Sequence, residues 1–183
     1  KRGDRERARR AGRQSLVLLK NTERVLPLRR DQRILVVGKS ADSIQNQTGG
    51  WTLCWQGGPW RFNPTDANPN SDFPNGQSIL SGIQETVGSA NVVFSADASG
   101  VNVADYDAVI AVVGETPYAE LFGDVATQIG NRDSTDTSLR TLELGVRHPE
   151  DRAVLQAVSG QGVPVVTVLL SGRVLYANAE INL

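Results

Sequence analysis

Residues 106–115 read YDAVIAVVGE: a tyrosine and an aspartate, six consecutive apolar residues, then a glycine and a glutamate. A run this short and this uniformly apolar, closed by glycine, reads as a strand buried on both faces. Strands of that kind sit in the middle of parallel sheets, so the stretch predicts the architecture around it.

Three further segments read as strands. RILVVG (33–38) and PVVTVLLSG (164–172) are apolar, rich in β-branched residues and end in glycine, while NVVFSA (91–96) is shorter. Helical patterns alternate with them. SILSGIQETVG (78–88) places Ile79, Leu80, Ile83 and Val87 on one face, and PEDRAVLQAVSGQG (149–162) starts at a proline and stops near Gly160 or Gly162. A further helix is expected over Arg5–Lys20, with Asn21 as its C-terminal cap and Pro27 beyond. Strands alternating with amphipathic helices predict a parallel or mostly parallel sheet with helices on both faces.

Two long loops leave this framework, one from Lys39 to about Gly76 and one from Glu115 to about Asp136. Loops of such length are commonly functional. Each follows a strand's carboxyl end, so both are expected on the same edge of the sheet, where ligands of open α/β sheets bind.

Composition narrows the chemistry. The 183 residues carry a net charge of −1 and are 39% hydrophobic, with no apolar run long enough to span a bilayer. The first segment is charged, unlike a signal peptide. One cysteine, Cys54, excludes an intrachain disulfide and a cysteine-rich metal site. The chain has no methionine, so we expect a piece of a longer protein. Seven basic and two acidic residues in the first thirteen read as a solvated helix face, since no aromatic is interleaved to meet nucleic acid.

VVGKS (36–40) resembles the end of a phosphate loop, but Arg33 stands where that loop needs its first glycine. A flavodoxin-like nucleotide-binding domain is therefore a weak alternative. His148, the only histidine, reads as a surface residue at a helix entrance.

QTGGWTLCWQGGPW (47–60) holds all three tryptophans between two glycine pairs. Trp51 and Trp55, four apart, fall on one side of a turn or strand. An indole at a rim can stack on the C–H face of a sugar, while Gln45, Asn46, Gln47 and Gln56 supply amides for its hydroxyls. The second loop, GETPYAELFGDV, carries Glu115, Glu120 and Asp124, and a carboxyl beside an aromatic platform can serve as a general acid.

Together QSLVLLKN…LPL, GGWTLCWQG, GETPYAE and VLLSGR resemble the second domain of glycoside hydrolase family 3, nearest to β-glucosidases and exo-β-glucanases. The resemblance covers nearly the whole chain. It implies an α/β three-layer sandwich with a mostly parallel sheet between helices, truncated at both ends. Residues 1–22 would be the linker helix following a missing TIM barrel, and 23–183 the sandwich domain, incomplete at its C-terminus. Glu120 matches the general acid/base of a retaining β-glucosidase, Trp55 the clamp on the leaving-group side, and Trp51 a residue of the same mouth. Glu115 then reads as structural and Arg173 as a buried residue near the domain contact.

The same resemblance implies a β-glucoside or β-glucan oligosaccharide as substrate, no cofactor or metal, no nucleic acid or membrane partner, and an extracytoplasmic location. The nucleophilic aspartate would lie in the barrel, leaving the fragment inactive without it. A non-catalytic carbohydrate-binding domain is the alternative. Trp60 and the stretches GPWRFNPTDANPNSDFPNG and ATQIGNRDSTDTSLRTLELGVRHPED match no transferable motif.

Overall fold

The computed structural model describes residues 2–57, 70–120, 123, 125 and 141–183. Four strands form one sheet: β1 (Ile34–Val37), β2 (Val92–Ser95), β3 (Ala108–Gly114) and β4 (Val165–Leu170). Their order is β2-β1-β3-β4, and every pairing is parallel. Every residue of β1 and β3 is buried, because helices cover both faces of the central strands.

Alternation along each strand divides the core in two. Leu35, Val37, Val109, Ala111 and Val113 pack with Val154, Leu155 and Val158 of α5 (Pro149–Val158). Ile34, Val36, Ala108, Ile110 and Val112 face the other way, onto Leu80 and the half-buried Ile79, Ile83 and Val87 of α3 (Ile79–Val87). These two helices and the sheet between them make the three layers expected. Removing the fully buried Leu155 side chain would cost about 2–5 kcal/mol.

Local chemistry sets the helix ends. Ser78 caps α3, its Oγ accepting from the Ser81 amide at 3.2 Å, and Gly88 (φ 89°) stops it. Pro149 opens α5 where its missing N–H costs nothing. Gly160, at φ 70°, follows the Ser159 cap.

The N-terminal helix departs from expectation. It is α1 (Arg2–Ser15), and Leu16–Lys20 lie outside any helix with Leu16, Val17, Leu18 and Leu19 all exposed. Four adjacent apolar residues spread around a helix rather than share one face, so continuing the helix would bury little. Asn21 is accordingly no helix cap. It brackets the next turn, its Oδ1 accepting from the Leu26 amide at 3.1 Å and its Nδ2 donating to the Leu26 carbonyl at 3.0 Å.

Short helices went unread in the sequence: α2 (Ile44–Thr48), α4 (Leu144–Arg147) and α6 (Asn178–Ile181). Each is too brief to show a period. α2 interrupts the first loop, where Ser43 Oγ accepts from the Asn46 amide at 3.2 Å and Asn70 Oδ1 from the Ile44 amide at 2.8 Å.

The strand order reverses between β1 and β3, the place where open α/β sheets form a ligand crevice. Both long loops start there, side by side.

Candidate functional site

The tryptophan loop is a compact turn. The Trp51 amide donates to the Trp55 carbonyl at 2.8 Å, the Gly57 amide to the Cys54 carbonyl at 3.1 Å. Trp51 and Leu53 adopt φ of 62° and 61°, a conformation that costs a non-glycine residue about 1–3 kcal/mol. Both indoles lie at the surface, Trp51 at 68% exposure and Trp55 at 45%. Their ring centroids lie 6.2 Å apart with planes tilted by 52°.

Glycine is required at two points of this frame. A Cβ on Gly57 would lie 2.1 Å from the Gly49 carbonyl oxygen, closing the loop on itself. One on Gly50 would lie 2.2 Å from the carbonyl oxygen of Tyr118, in the facing loop.

The facing loop is anchored at its foot. Glu115, immediately after β3, is buried, and its Oε1 accepts from Arg173 Nε at 3.1 Å and Nη2 at 2.9 Å. Its Oε2 accepts from Ser171 Oγ and Tyr118 Oη, both at 2.9 Å. The buried Arg147 adds a second cation, Nε lying 3.8 Å from Oε1. Burial alone would raise the Glu115 pKa, but the Arg173, Ser171 and Tyr118 hydrogen bonds hold it below the ordinary value. Burial and the Glu115 carboxylate push the Tyr118 hydroxyl up to about 12. Arg173 also lies over the Tyr118 ring, 4.8 Å from its centroid, and donates to the Gly123 carbonyl.

The loops meet at Glu120. Trp55 Nε1 donates to Glu120 Oε2 at 2.6 Å. The neighbouring Gln56 grips the same loop by its backbone, Oε1 accepting from the Ala119 amide at 2.7 Å and Nε2 reaching the Glu120 carbonyl at 3.5 Å. Glu120 is itself exposed. An open carboxyl thus sits against the edge of one open indole, with a second indole beside that ring, an arrangement able to exchange a proton with a molecule resting on the rings.

Of the residues singled out in the sequence, the structure brings Trp51, Trp55 and Glu120 together. Glu115 lies in the buried foot, with Arg173 half-buried against it. Trp60 and Asp124 lie outside the described residues.

Amides expected to bind sugar hydroxyls are instead engaged internally. Besides Gln56, which is buried, Asn46 donates to Ser40 Oγ at 3.0 Å, and Gln47 accepts from the Ile79 amide at 3.1 Å. Backbone groups stranded by irregular turns need partners, and Gln56 and Gln47 supply them.

His148 is another correction: its side chain is only 15% exposed. Nδ1 lies 3.0 Å from Lys39 Nζ, and burial followed by the Lys39 charge lowers its pKa. Lys39 also pairs with Glu150 and, at 3.1 Å, with the buried Asp151, whose Oδ2 accepts from the Gly114 amide at 2.9 Å. The lysine of VVGKS is therefore an internal cation between β1, β3 and α5, not a phosphate ligand. His148, Glu150 and Asp151 have the spacing of metal ligands, but that ammonium already lies among them. Sequence reasoning missed Lys39–Asp151, Arg147 and Ser171; the LLSGR turn held the one local signal, a serine and an arginine at a strand's carboxyl end.

Comparison with known proteins identifies relatives of this chain. The crystal structure of a mutant exo-1,3/1,4-beta-glucanase from a Pseudoalteromonas species superposes with a TM-score of 0.79 at 41% identity, over 98% of this chain and 25% of that one. The lysosomal beta glucosidase of Dictyostelium discoideum is 31% identical over 93% of this chain and 20% of its own length. A periplasmic beta-glucosidase of Salmonella typhimurium is 27% identical, with 93% and 22% covered. The chain thus spans a quarter or less of the length of these relatives. The family model described as the glycosyl hydrolase family 3 C-terminal domain matches residues 16–182, and the chain belongs to that family.

Proposed function

We propose that this domain supplies the general acid/base, Glu120, and an aromatic sugar platform, Trp51 and Trp55, to a retaining exo-acting β-glucosidase. The nucleophile would be an aspartate of a TIM barrel in the same polypeptide, joined through residues 1–22. The supporting observation is convergence: two loops from adjacent strands place an open carboxylate 2.6 Å from an open indole at the sheet's switch point.

The chemistry follows from that placement. A glucoside lying across the rim presents its C–H face to the indoles. Glu120 gives its proton to the glycosidic oxygen as the C1–O bond breaks and C1 bonds to the aspartate. Glu120 then takes a proton from water as the water oxygen attacks C1 and releases the aspartate. The two carboxyl groups of such an enzyme stand about 5–5.5 Å apart, so the sandwich must dock precisely on the barrel. The reaction needs no cofactor. A periplasmic and a lysosomal relative support an extracytoplasmic location.

Glu120→Gln in the polypeptide that carries both domains tests the reading. We expect kcat/KM for cellobiose to fall by about 10²–10⁴-fold, the usual worth of a positioned acid. A dinitrophenyl β-glucoside, whose leaving group needs little protonation, should keep kcat/KM within about tenfold. Equal values for wild type and variant on cellobiose would overturn the proposal.

A further inference from the structure

We infer that Trp55 is a positioning residue for proton transfer as well as a platform for sugar: its indole N–H selects which oxygen of Glu120 carries the proton. The inference rests on the acid/base reading of Glu120.

Geometry allows one ring both tasks. An indole N–H lies in the ring plane, while sugar stacking uses the face perpendicular to it. The edge of Trp55 is spent on Glu120, with Nε1 2.6 Å from Oε2, while the side chain remains 45% exposed. The contact is not a chance touch of two free side chains. Gln56, next in sequence, holds the backbone on either side of the Ala119–Glu120 peptide, and Gly50 lets the Tyr118 carbonyl approach. Backbone and side chain of Glu120 are thus held from the same short turn.

The consequence is an asymmetry between two chemically equivalent oxygens. The carbonyl oxygen of a protonated carboxyl is a better acceptor than its hydroxyl oxygen. A donor fixed on Oε2 therefore favours the tautomer with the proton on Oε1. Oε1 passes that proton to the glycosidic oxygen in the first step and recovers one from water in the second, while Oε2 keeps the indole bond throughout. Without the N–H, the carboxyl can rotate and offer its proton in the wrong direction. The loss should grow with the substrate's need for protonation.

The test replaces Trp55 with β-(3-benzothienyl)alanine in the two-domain polypeptide, exchanging N–H for sulfur while keeping the ring's shape. Trp55→Phe is a second variant made of natural residues. We expect kcat/KM for cellobiose to fall about tenfold, since hydrogen bonds to charged groups are worth that much or more. For the sulfur variant, KM for cellobiose and kcat/KM for a dinitrophenyl β-glucoside should stay within about twofold, because the two-ring stacking face is retained. Equal losses on both substrates, or a change in KM alone, would show Trp55 to be only a platform and overturn the inference. Glu120→Gln measured alongside separates the two claims. If it shows no dependence on the leaving group, the acid/base reading falls; if it does and the sulfur variant does not, only the role of Trp55 falls.

Discussion

The loop after β3 carries two glutamates five residues apart, and they live in opposite surroundings. Glu115, at the foot, has a side chain 3% exposed and is held by Arg173, Ser171 and Tyr118. Glu120, at the rim, faces solvent and touches one indole edge and one amide. A carboxylate ringed by donors in a buried site is locked in its charged form and cannot trade protons near neutral pH. One at an open rim can meet a ligand. The contrast fits the proposed division, support for the first and chemistry for the second, although local sequence treats them alike.

The largest effect should come from breaking the foot. Glu115→Ala leaves Arg173 and Arg147 facing each other without their shared counter-charge, and such a loss costs about 3–5 kcal/mol. Denaturant unfolding of the polypeptide carrying this domain would read it. A cost no larger than that of a surface substitution would dissolve the distinction between foot and rim.

Next comes the contact between the two loops. Gly50→Ala drives a methyl into the Tyr118 carbonyl, 2.2 Å away, so the acid loop must move off the tryptophan turn. Misplacement by about 1 Å can cost about 10²-fold in rate, so kcat for cellobiose should fall by that order while the core keeps its melting temperature. An unchanged kcat would mean that the register between the loops is unimportant.

A smaller, pH-dependent effect sharpens the account of the foot. The folded pKa of Glu115 lies below its ordinary value of 4.5. Its stabilisation is therefore complete above that value and is lost as pH falls through the depressed folded pKa. Melting temperatures from neutral to acid pH should fall more steeply for wild type than for Glu115→Gln. Parallel curves would contradict the assignment. The smallest effect is expected at the rim, where Glu120→Gln should change stability by no more than about 0.5 kcal/mol, because an exposed side chain with few contacts holds little together.

How much of this could be read beforehand follows the range of the interactions. β1 and β3 were legible because continuous apolar runs are local and the sheet buries them on both faces. The meeting of Trp55 with Glu120 was legible at second hand, since loops from strands' carboxyl ends share an edge. The foot was not: Glu115 and Arg173 are 58 residues apart, and only the fold closes that distance. The same holds for Lys39 and Asp151, whose pairing turned a phosphate-loop lookalike into an internal ion pair. Leu16–Leu19 misled for the converse reason, because an apolar run signals burial only where something packs against it. The amides misled because a side chain suited to binding hydroxyls is equally suited to satisfying a turn, as Gln56 does.

The most direct measurement is azide trapping with Glu120→Ala in the two-domain polypeptide and a dinitrophenyl β-glucoside as substrate. The substitution opens space beside C1 of the glycosyl-enzyme, where azide needs no general base. Turnover should rise with azide concentration, and the product should be β-glucosyl azide with the configuration of the substrate retained. Turnover unaffected by azide, with no glucosyl azide formed and a rate equal to that of wild type, would contradict the assignment of Glu120 as the acid/base.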